Sequence, residues 1–263
     1  MIRVNRTPEP ILPLVVALHG TFGRGAVFDR LAVDLRGRAR VLAPDQRGHG
    51  RAARTPTYTR ADFIADAVDF IRGLDEGPVI LLGHSLGGIN AYQLAARHPE
   101  LVRALIIEDV GTTITAVLDV TDFPTEAPTR AALAAALIAK GIPDPTYFLQ
   151  SAAPDPTGTW RFLFSWTDMM TVQHQALGDW WPDWLTSRCP ALLFRGGRSP
   201  LLSAAEADRM ATLRPDTTLI TFPNATHWIH DDEPAALAAA VSAFLDGLVC
   251  PVWTTEQGKT ELL

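Results

Sequence analysis

No stretch constrains this chain more than Val79-Ile80-Leu81-Leu82-Gly83-His84-Ser85-Leu86-Gly87-Gly88. Its first four residues form an apolar run that reads as a buried strand. Gly-x-Ser-x-Gly follows at once, and then the Ala-rich helical stretch Ile89 to His98. A serine on so sharp a strand-to-helix turn is held in a strained backbone conformation. The residues flanking it must be small to let strand and helix approach. Such a turn lifts the hydroxyl clear of the sheet, close to the N-terminus of the next helix. Backbone N–H groups there are placed to stabilise a developing oxyanion. The motif alone would say little in a chain with 19 glycines. Its setting between strand and helix makes Ser85 a candidate nucleophile.

With 263 residues, one α/β domain with an insertion has room for a substantial core. The net charge of −6 is made of mixed signs without a basic stripe, which argues against a nucleic-acid partner. Met1-Ile2-Arg3-Val4-Asn5-Arg6 lacks the apolar core of a signal peptide. No apolar run approaches the roughly eighteen residues of a membrane span. Cys189 and Cys250 stand outside any metal or redox spacing, so both read as incidental thiols. These features lead to the expectation of a soluble cytoplasmic protein.

Short apolar runs alternate with helical patterns along the chain. Leu14–Leu18, Val41–Ala43, Val79–Leu82, Leu105–Ile107, Ala191–Phe194 and Leu219–Phe222 read as strands apolar on both faces. That pattern suits a parallel sheet covered by helices on each side. A helix is expected from Thr59, where Thr59-x-x-Asp62 has the form of a capping box, and Phe63, Ala67, Phe70 and Leu74 keep one face apolar. Another runs from about Pro234 to Leu248. The alternation predicts a doubly wound α/β sheet. One segment breaks the rhythm. Between Gly111 and Ser187 no clear strand is legible, yet the stretch holds five of the seven tryptophans. Core packing explains some of these rings, and the rest point to a cap with an apolar inner surface over a pocket. The expected division is therefore a core in two parts (1–111 and 188–249), a helical cap (112–187) and a C-terminal tail (250–263).

From Leu14 to Leu248 these residues, in this order, resemble the α/β-hydrolase superfamily. The resemblance implies an α/β-hydrolase fold, a mostly parallel doubly wound sheet with a helical cap insertion. The N-terminal strand region is shortened, because only thirteen residues precede Leu14; one edge strand near Ile2–Val4 is all that fits. His19-Gly20-Thr21-Phe22-Gly23 is similar to the superfamily's oxyanion loop. That likeness makes the N–H groups of Thr21 and Leu86 the oxyanion hole and His19 a support of the loop. Asp45-Gln46-Arg47-Gly48-His49-Gly50 resembles a structural turn of capped members. Asn224-Ala225-Thr226-His227-Trp228-Ile229-His230 follows the last strand, where the superfamily carries its catalytic histidine, and His227 occupies that place. His230 would pack or cap locally. His227-x-x-His230-Asp231-Asp232 has the look of a metal site, but matching ligands are missing elsewhere, so neither metal nor cofactor is expected.

The acid departs from the commonest pattern. Most members carry an Asp in a Gly-x-x-Asp turn after the strand equivalent to Ala191–Phe194; here that turn is Gly196-Gly197-Arg198-Ser199, and serine cannot hold an imidazolium by charge. Some members place the acid after the strand that follows the elbow helix, and Glu108-Asp109-Val110-Gly111 stands there. Asp109 matches that position best, with Glu108 as the alternative. Asp231 and Asp232 are too close to His227 in sequence to reach its far nitrogen. The likeness narrows to small capped serine esterases and thioesterases.

The expected chemistry is hydrolysis of an ester, thioester or lactone with an apolar acyl or aromatic portion. Ser85, His227 and Asp109 would act as a triad. Phe22, Trp160, Trp166, Trp181 and Trp228 are the candidate pocket residues, and the expected partner is a small apolar ester-like molecule. Carbon–carbon bond hydrolases and perhydrolases of this fold use the same triad. Epoxide hydrolases and dehalogenases use an aspartate nucleophile, against which Ser85 argues. A ligand-binding sensor with weakened catalysis is the reading from another class, favoured only by Ser199.

Overall fold

A computed structural model describes residues 12–248. The expected edge strand near Ile2–Val4 and the tail after Cys250 lie outside these residues. The chain opens with β1 (Leu14–Leu18), α1 (Asp29–Asp34), β2 (Arg40–Leu42), α2 (Arg60–Leu74), β3 (Val79–His84), α3 (Leu86–Arg97) and β4 (Val102–Glu108). Next come β5 (Thr113–Ile114), β6 (Glu126–Ala127), α4 (Arg130–Ala139), α5 (Thr146–Gln150), β7 (Ala152–Pro154) and β8 (Trp160–Phe162). They are followed by α6 (Trp166–Ala176), β9 (Gly178–Asp179) and α7 (Trp181–Thr186). The sequence then returns to the sheet with β10 (Ala191–Gly196), α8 (Ala204–Leu213), β11 (Thr217–Phe222), α9 (Ile229–Asp232) and α10 (Pro234–Gly247).

Six strands pair in parallel in the order β11-β10-β4-β3-β1-β2. Every residue of β1 and β3 is buried, which is why these runs show no polar alternation: helices cover both faces. The α2 helix begins as its sequence indicates. Thr59 Oγ1 accepts from the Asp62 N–H at 3.2 Å, and Asp62 returns a bond to the Thr59 N–H at 2.9 Å, a reciprocal capping box. Within the sheet, His84 is opposite Glu108, and Phe194 is opposite Glu108 on the other side. Ser85 and Asp109 therefore leave neighbouring strands at the same level. Both do so in the left-handed region, with φ of 52° and 50°. That end of the sheet is the carboxyl edge, where open α/β folds place their ligand crevice.

The segment between β4 and β10 corrects one expectation, because it is not purely helical. β6, β8 and β7 make a three-stranded antiparallel sheet, and β5 pairs with β9. The second pairing joins the beginning of the segment to its later part, as a stem would. Strands of two or three residues are too short to leave an apolar period in the sequence, and none was legible there.

Burial of histidine in this core carries a cost at low pH. Burial is the main cause that lowers His19 to about 4. Burial and then neighbouring His19 bring His49 down to about 3. His84 is likewise lowered by burial and by the adjacent His227 and His230. Each group takes up a proton more readily once unfolded, so the stability they confer is present above about pH 6.5 and is lost as pH falls. His230 has the opposite sign. Burial works against its charge, but Glu108 outweighs that and raises it, so its contribution is present in acid and lost as pH rises. The unfolding free energy from urea titrations should fall between about pH 6.5 and pH 4, by up to about 1.4 kcal/mol per pH unit for each titrating histidine. An unfolding free energy flat over that range would contradict neutral burial of His19 and His49.

Candidate active site

Local geometry at the serine turn follows from its glycines. A Cβ on Gly87 would run into the Leu18 carbonyl, and one on Gly83 into the Gly87 carbonyl. Strand and helix thus approach closer than any side chain permits. Ser85 sits between them at φ 52° and ψ −118°, a strained conformation tolerated where the surroundings over-determine it. Its N–H still donates to the Glu108 carbonyl at 3.1 Å, so the sheet itself grips the turn. Neither the Thr21 nor the Leu86 N–H finds an acceptor among the described residues.

The loop carrying Thr21 is braced from below. His19 donates from Nδ1 to the Gly20 carbonyl at 2.8 Å and accepts at Nε2 from the Gln46 N–H at 3.0 Å. The Gln46 side chain donates to the His19 carbonyl at 2.6 Å and accepts from Asn90 of α3 at 2.5 Å. Asn90 in turn meets buried Arg60, which also donates to Gln93 at 3.0 Å. Burial drags the Arg60 guanidinium down to about 10. The Asp45–Gly50 turn is structural in its contacts: Asp45 accepts from the Gly25 and Arg51 N–H groups, each at 2.7 Å, and Arg47 pairs with Asp66.

Asp109 and His227, 118 positions apart, are hydrogen-bonded from Nδ1 to Oδ2 at 2.8 Å. The aspartate is fully buried. Its Oδ1 accepts from the Gly196 N–H at 2.8 Å, and its Oδ2 accepts from Ser199 Oγ at 2.5 Å. Ser199, where the sequence reading looks for an aspartate and finds none, is thus a hydrogen-bond donor to Asp109. With Nδ1 committed to Asp109, Nε2 is the ring position left to exchange a proton. The Glu108 carboxylate makes no hydrogen bond to His227; it bonds His230 instead, at 2.7 Å. Asp232 caps Thr226, and Asp231 accepts from Gln150.

Aromatic rings span the space between the Thr21 loop and the His227 loop. Phe22, itself at φ 70°, meets Phe148, Phe164 and Trp166 with centroids 5.0, 5.8 and 5.7 Å away. Tyr147, adjacent to Phe148, packs on Trp228 at 5.5 Å, and Trp228 packs on His227 at 5.5 Å. All rings of this arch other than Phe22 and Trp228 come from the segment between β4 and β10. Trp181 does not join it but lies under the Arg209 guanidinium at 4.4 Å. Trp160 sits in the small antiparallel sheet. Trp184 is fully buried and donates to the Met210 carbonyl, a core role. Sequence reasoning counts Tyr147 and Phe148 among the aromatic residues of the insertion without making them pocket candidates, and misses Ser199 as a partner of Asp109. The first two had no signal beyond their aromatic character; the third was visible only as a missing aspartate.

The sequence profile of the Alpha/beta hydrolase family matches residues 15–240. This chain belongs to that family. It is 32% identical over 245 residues to the 2-(acetamidomethylene)succinate hydrolase of Mesorhizobium japonicum, spanning 89% of this chain and 88% of that one. To the sn-1-specific diacylglycerol lipase of Mus musculus it is 30% identical over 260 residues, spanning 90% and 82%. The crystal structure of E-2-(acetamidomethylene)succinate hydrolase superposes with a TM-score of 0.78 at 29% identity, covering 90% of this chain and 92% of the other. These relatives are hydrolases. Among the described residues no helix is long and apolar enough to cross a membrane.

Proposed function

We propose that the protein is a serine hydrolase cleaving an ester, thioester or lactone with an apolar acyl or aromatic portion through an acyl-enzyme. The observation carrying this reading is the buried Asp109–His227 pair, which shares one sheet edge with a serine held at positive φ. Ser85 Oγ attacks the carbonyl while His227 Nε2 takes its proton. Asp109 fixes the imidazole tautomer and stabilises the cation that forms. The Thr21 and Leu86 amides receive the oxyanion, each donor worth about 3 kcal/mol in the transition state. His227 then protonates the leaving group, and water releases the acyl chain by the reverse sequence. Residues 112–187 act as the cap, and their aromatic arch selects an apolar acyl portion and excludes water.

The test is pre-steady-state hydrolysis of p-nitrophenyl esters whose acyl chains run from acetyl to lauroyl. A stoichiometric burst, lost in Ser85→Ala, supports the acyl-enzyme, and the chain-length optimum measures the space under the arch. Folded protein without turnover on any ester would overturn the ester reading. The relative named for 2-(acetamidomethylene)succinate favours one second reading, an acidic non-ester substrate, and that compound is then the next to assay.

A further inference from the structure

Behind the proposed base lies a second set of buried groups. Glu108 and Asp109 are consecutive at the end of β4, and His227 and His230 are three residues apart on the facing turn. Each carboxylate takes one imidazole: Asp109 bonds His227 Nδ1 at 2.8 Å, and Glu108 bonds His230 Nδ1 at 2.7 Å. Glu108 Oε1 also accepts from the His230 backbone N–H at 2.9 Å. His84 stands between the two rings, with centroids 4.5 Å from His227 and 4.8 Å from His230. Its Nε2–H donates to the His227 carbonyl at 3.1 Å, which leaves Nδ1 bare and the ring neutral.

We infer that Glu108 and His230 form a second carboxylate–imidazole pair whose work is to position His227. The inference rests on the reading of His227 as the base. One end of the 227–230 turn is held by Asp109 on the ring and His84 on the carbonyl, and the other end by both bonds to Glu108. Every anchor is in the sheet edge that also carries Ser85, so serine, acid and base share one rigid frame. Donors of His84, Glu108 and His230 lie within 4.8 Å of one another. Of these, His230 Nδ1 and Glu108 Oε1 are spent on each other and His84 Nε2 on a carbonyl, while His84 Nδ1, Glu108 Oε2 and His230 Nε2 are buried without a hydrogen-bond partner among the described residues.

Charge balance supports the pairing. Glu108, His230 and His84 are all buried, and an ionised carboxylate there requires a cation. His230 is that cation: burial opposes its charge, but the attraction of Glu108 and the bond to it prevail, with Asp231 and Asp232 adding to the effect. The groups facing the pair are His84, neutral through burial, Asp231 at 3.9 Å from His230 Nε2, and the Tyr147 ring at 6.0 Å.

Three variants, each measured per titrated active site and by low-field proton NMR, test the idea. Wild type should show two low-field imidazole N–H resonances. Asp109→Asn should remove one and Glu108→Leu the other. Glu108→Leu should lower kcat by about 10²-fold with KM unchanged, the scale of a misplaced catalytic group. Glu108→Gln keeps the acceptor, so it should hold kcat within a few-fold while the second resonance moves upfield. Because Glu108→Gln conserves shape, it keeps the test open where Glu108→Leu fails to fold. A single low-field resonance in wild type, unaffected by Glu108→Gln, would overturn the pair. Wild-type kcat in folded Glu108→Leu would overturn its positioning role, as would KM rising in step with kcat loss. Retained kcat in Asp109→Asn would instead count against the proposed base, and the resonances still report on the pair.

Discussion

Replacing Ser85 by alanine is expected to lower kcat by about 10⁶-fold, the loss seen when one member of a triad that acts as a unit is removed. The change takes away one oxygen on a half-buried residue and leaves the turn intact. The close approach at that turn is set by Gly83 and Gly87, not by the serine side chain. Alanine pays the same backbone strain at φ 52°, so the unfolding free energy should stay within the roughly 0.5 kcal/mol typical of substitutions that remove no packing or hydrogen bond. Some hydrolysis should persist, because the Thr21 and Leu86 amides and the aromatic arch still bind the transition state; such residual catalysis is on the order of 10³-fold over water. The burst of acyl-enzyme must vanish altogether. Rate assays and thermal melts on the same preparation decide the matter. A loss of only tenfold with an intact fold would mean that Ser85 is not the nucleophile.

Much of this architecture is legible in the sequence for a physical reason. Strands buried on both faces, such as Val15–Leu18 and Ile80–Leu82, leave apolar runs that need no context to find. The Thr59–Asp62 cap is equally local. The site is legible only through chain position: Asp109 and His227 lie 118 residues apart, and no spacing rule brings them together. Ser199 shows the limit well. Its position signals an absent aspartate, yet nothing local says that its hydroxyl would turn back onto Asp109. In the 112–187 segment, two-residue strands such as Thr113–Ile114 and Gly178–Asp179 are held by pairing across the segment, so local pattern carries no trace of them. The tryptophans mislead in the same way. Trp166 enters the arch, whereas Trp184 fills the core and Trp181 lies under Arg209, and composition alone does not separate these fates.

Asp109→Asn should cost about 10⁴-fold in kcat while leaving the protein folded, as expected when an amide presents the wrong hydrogen-bonding partner to the base. The fold survives because the amide oxygen can still accept from the Gly196 N–H, at 2.8 Å in the native protein. What fails is the imidazole, which loses both its tautomer and the countercharge for its cation. The 2.5 Å bond from Ser199 to Asp109 makes a sharper experiment possible. The side chain at 199 already reaches the oxygen that His227 binds, so a carboxylate introduced there lies within one side chain's length of Nδ1. Asp109→Asn combined with Ser199→Asp should therefore recover on the order of 10²-fold over Asp109→Asn alone, falling short of wild type because the new carboxylate is not pre-oriented. Ser199→Asp by itself should lower activity, since two carboxylates side by side in a buried site cannot both ionise, and one is forced to hold a proton. Comparing kcat/KM of the two single variants and the double variant on one ester tests the whole chain of reasoning. Recovery in the double variant would mean that His227 needs a charge at its Nδ1 whichever strand supplies it. No recovery, with the double variant folded, would mean that Asp109 works through its own strand-end geometry and that the turn at Gly196–Ser199 has lost the capacity to carry the acid.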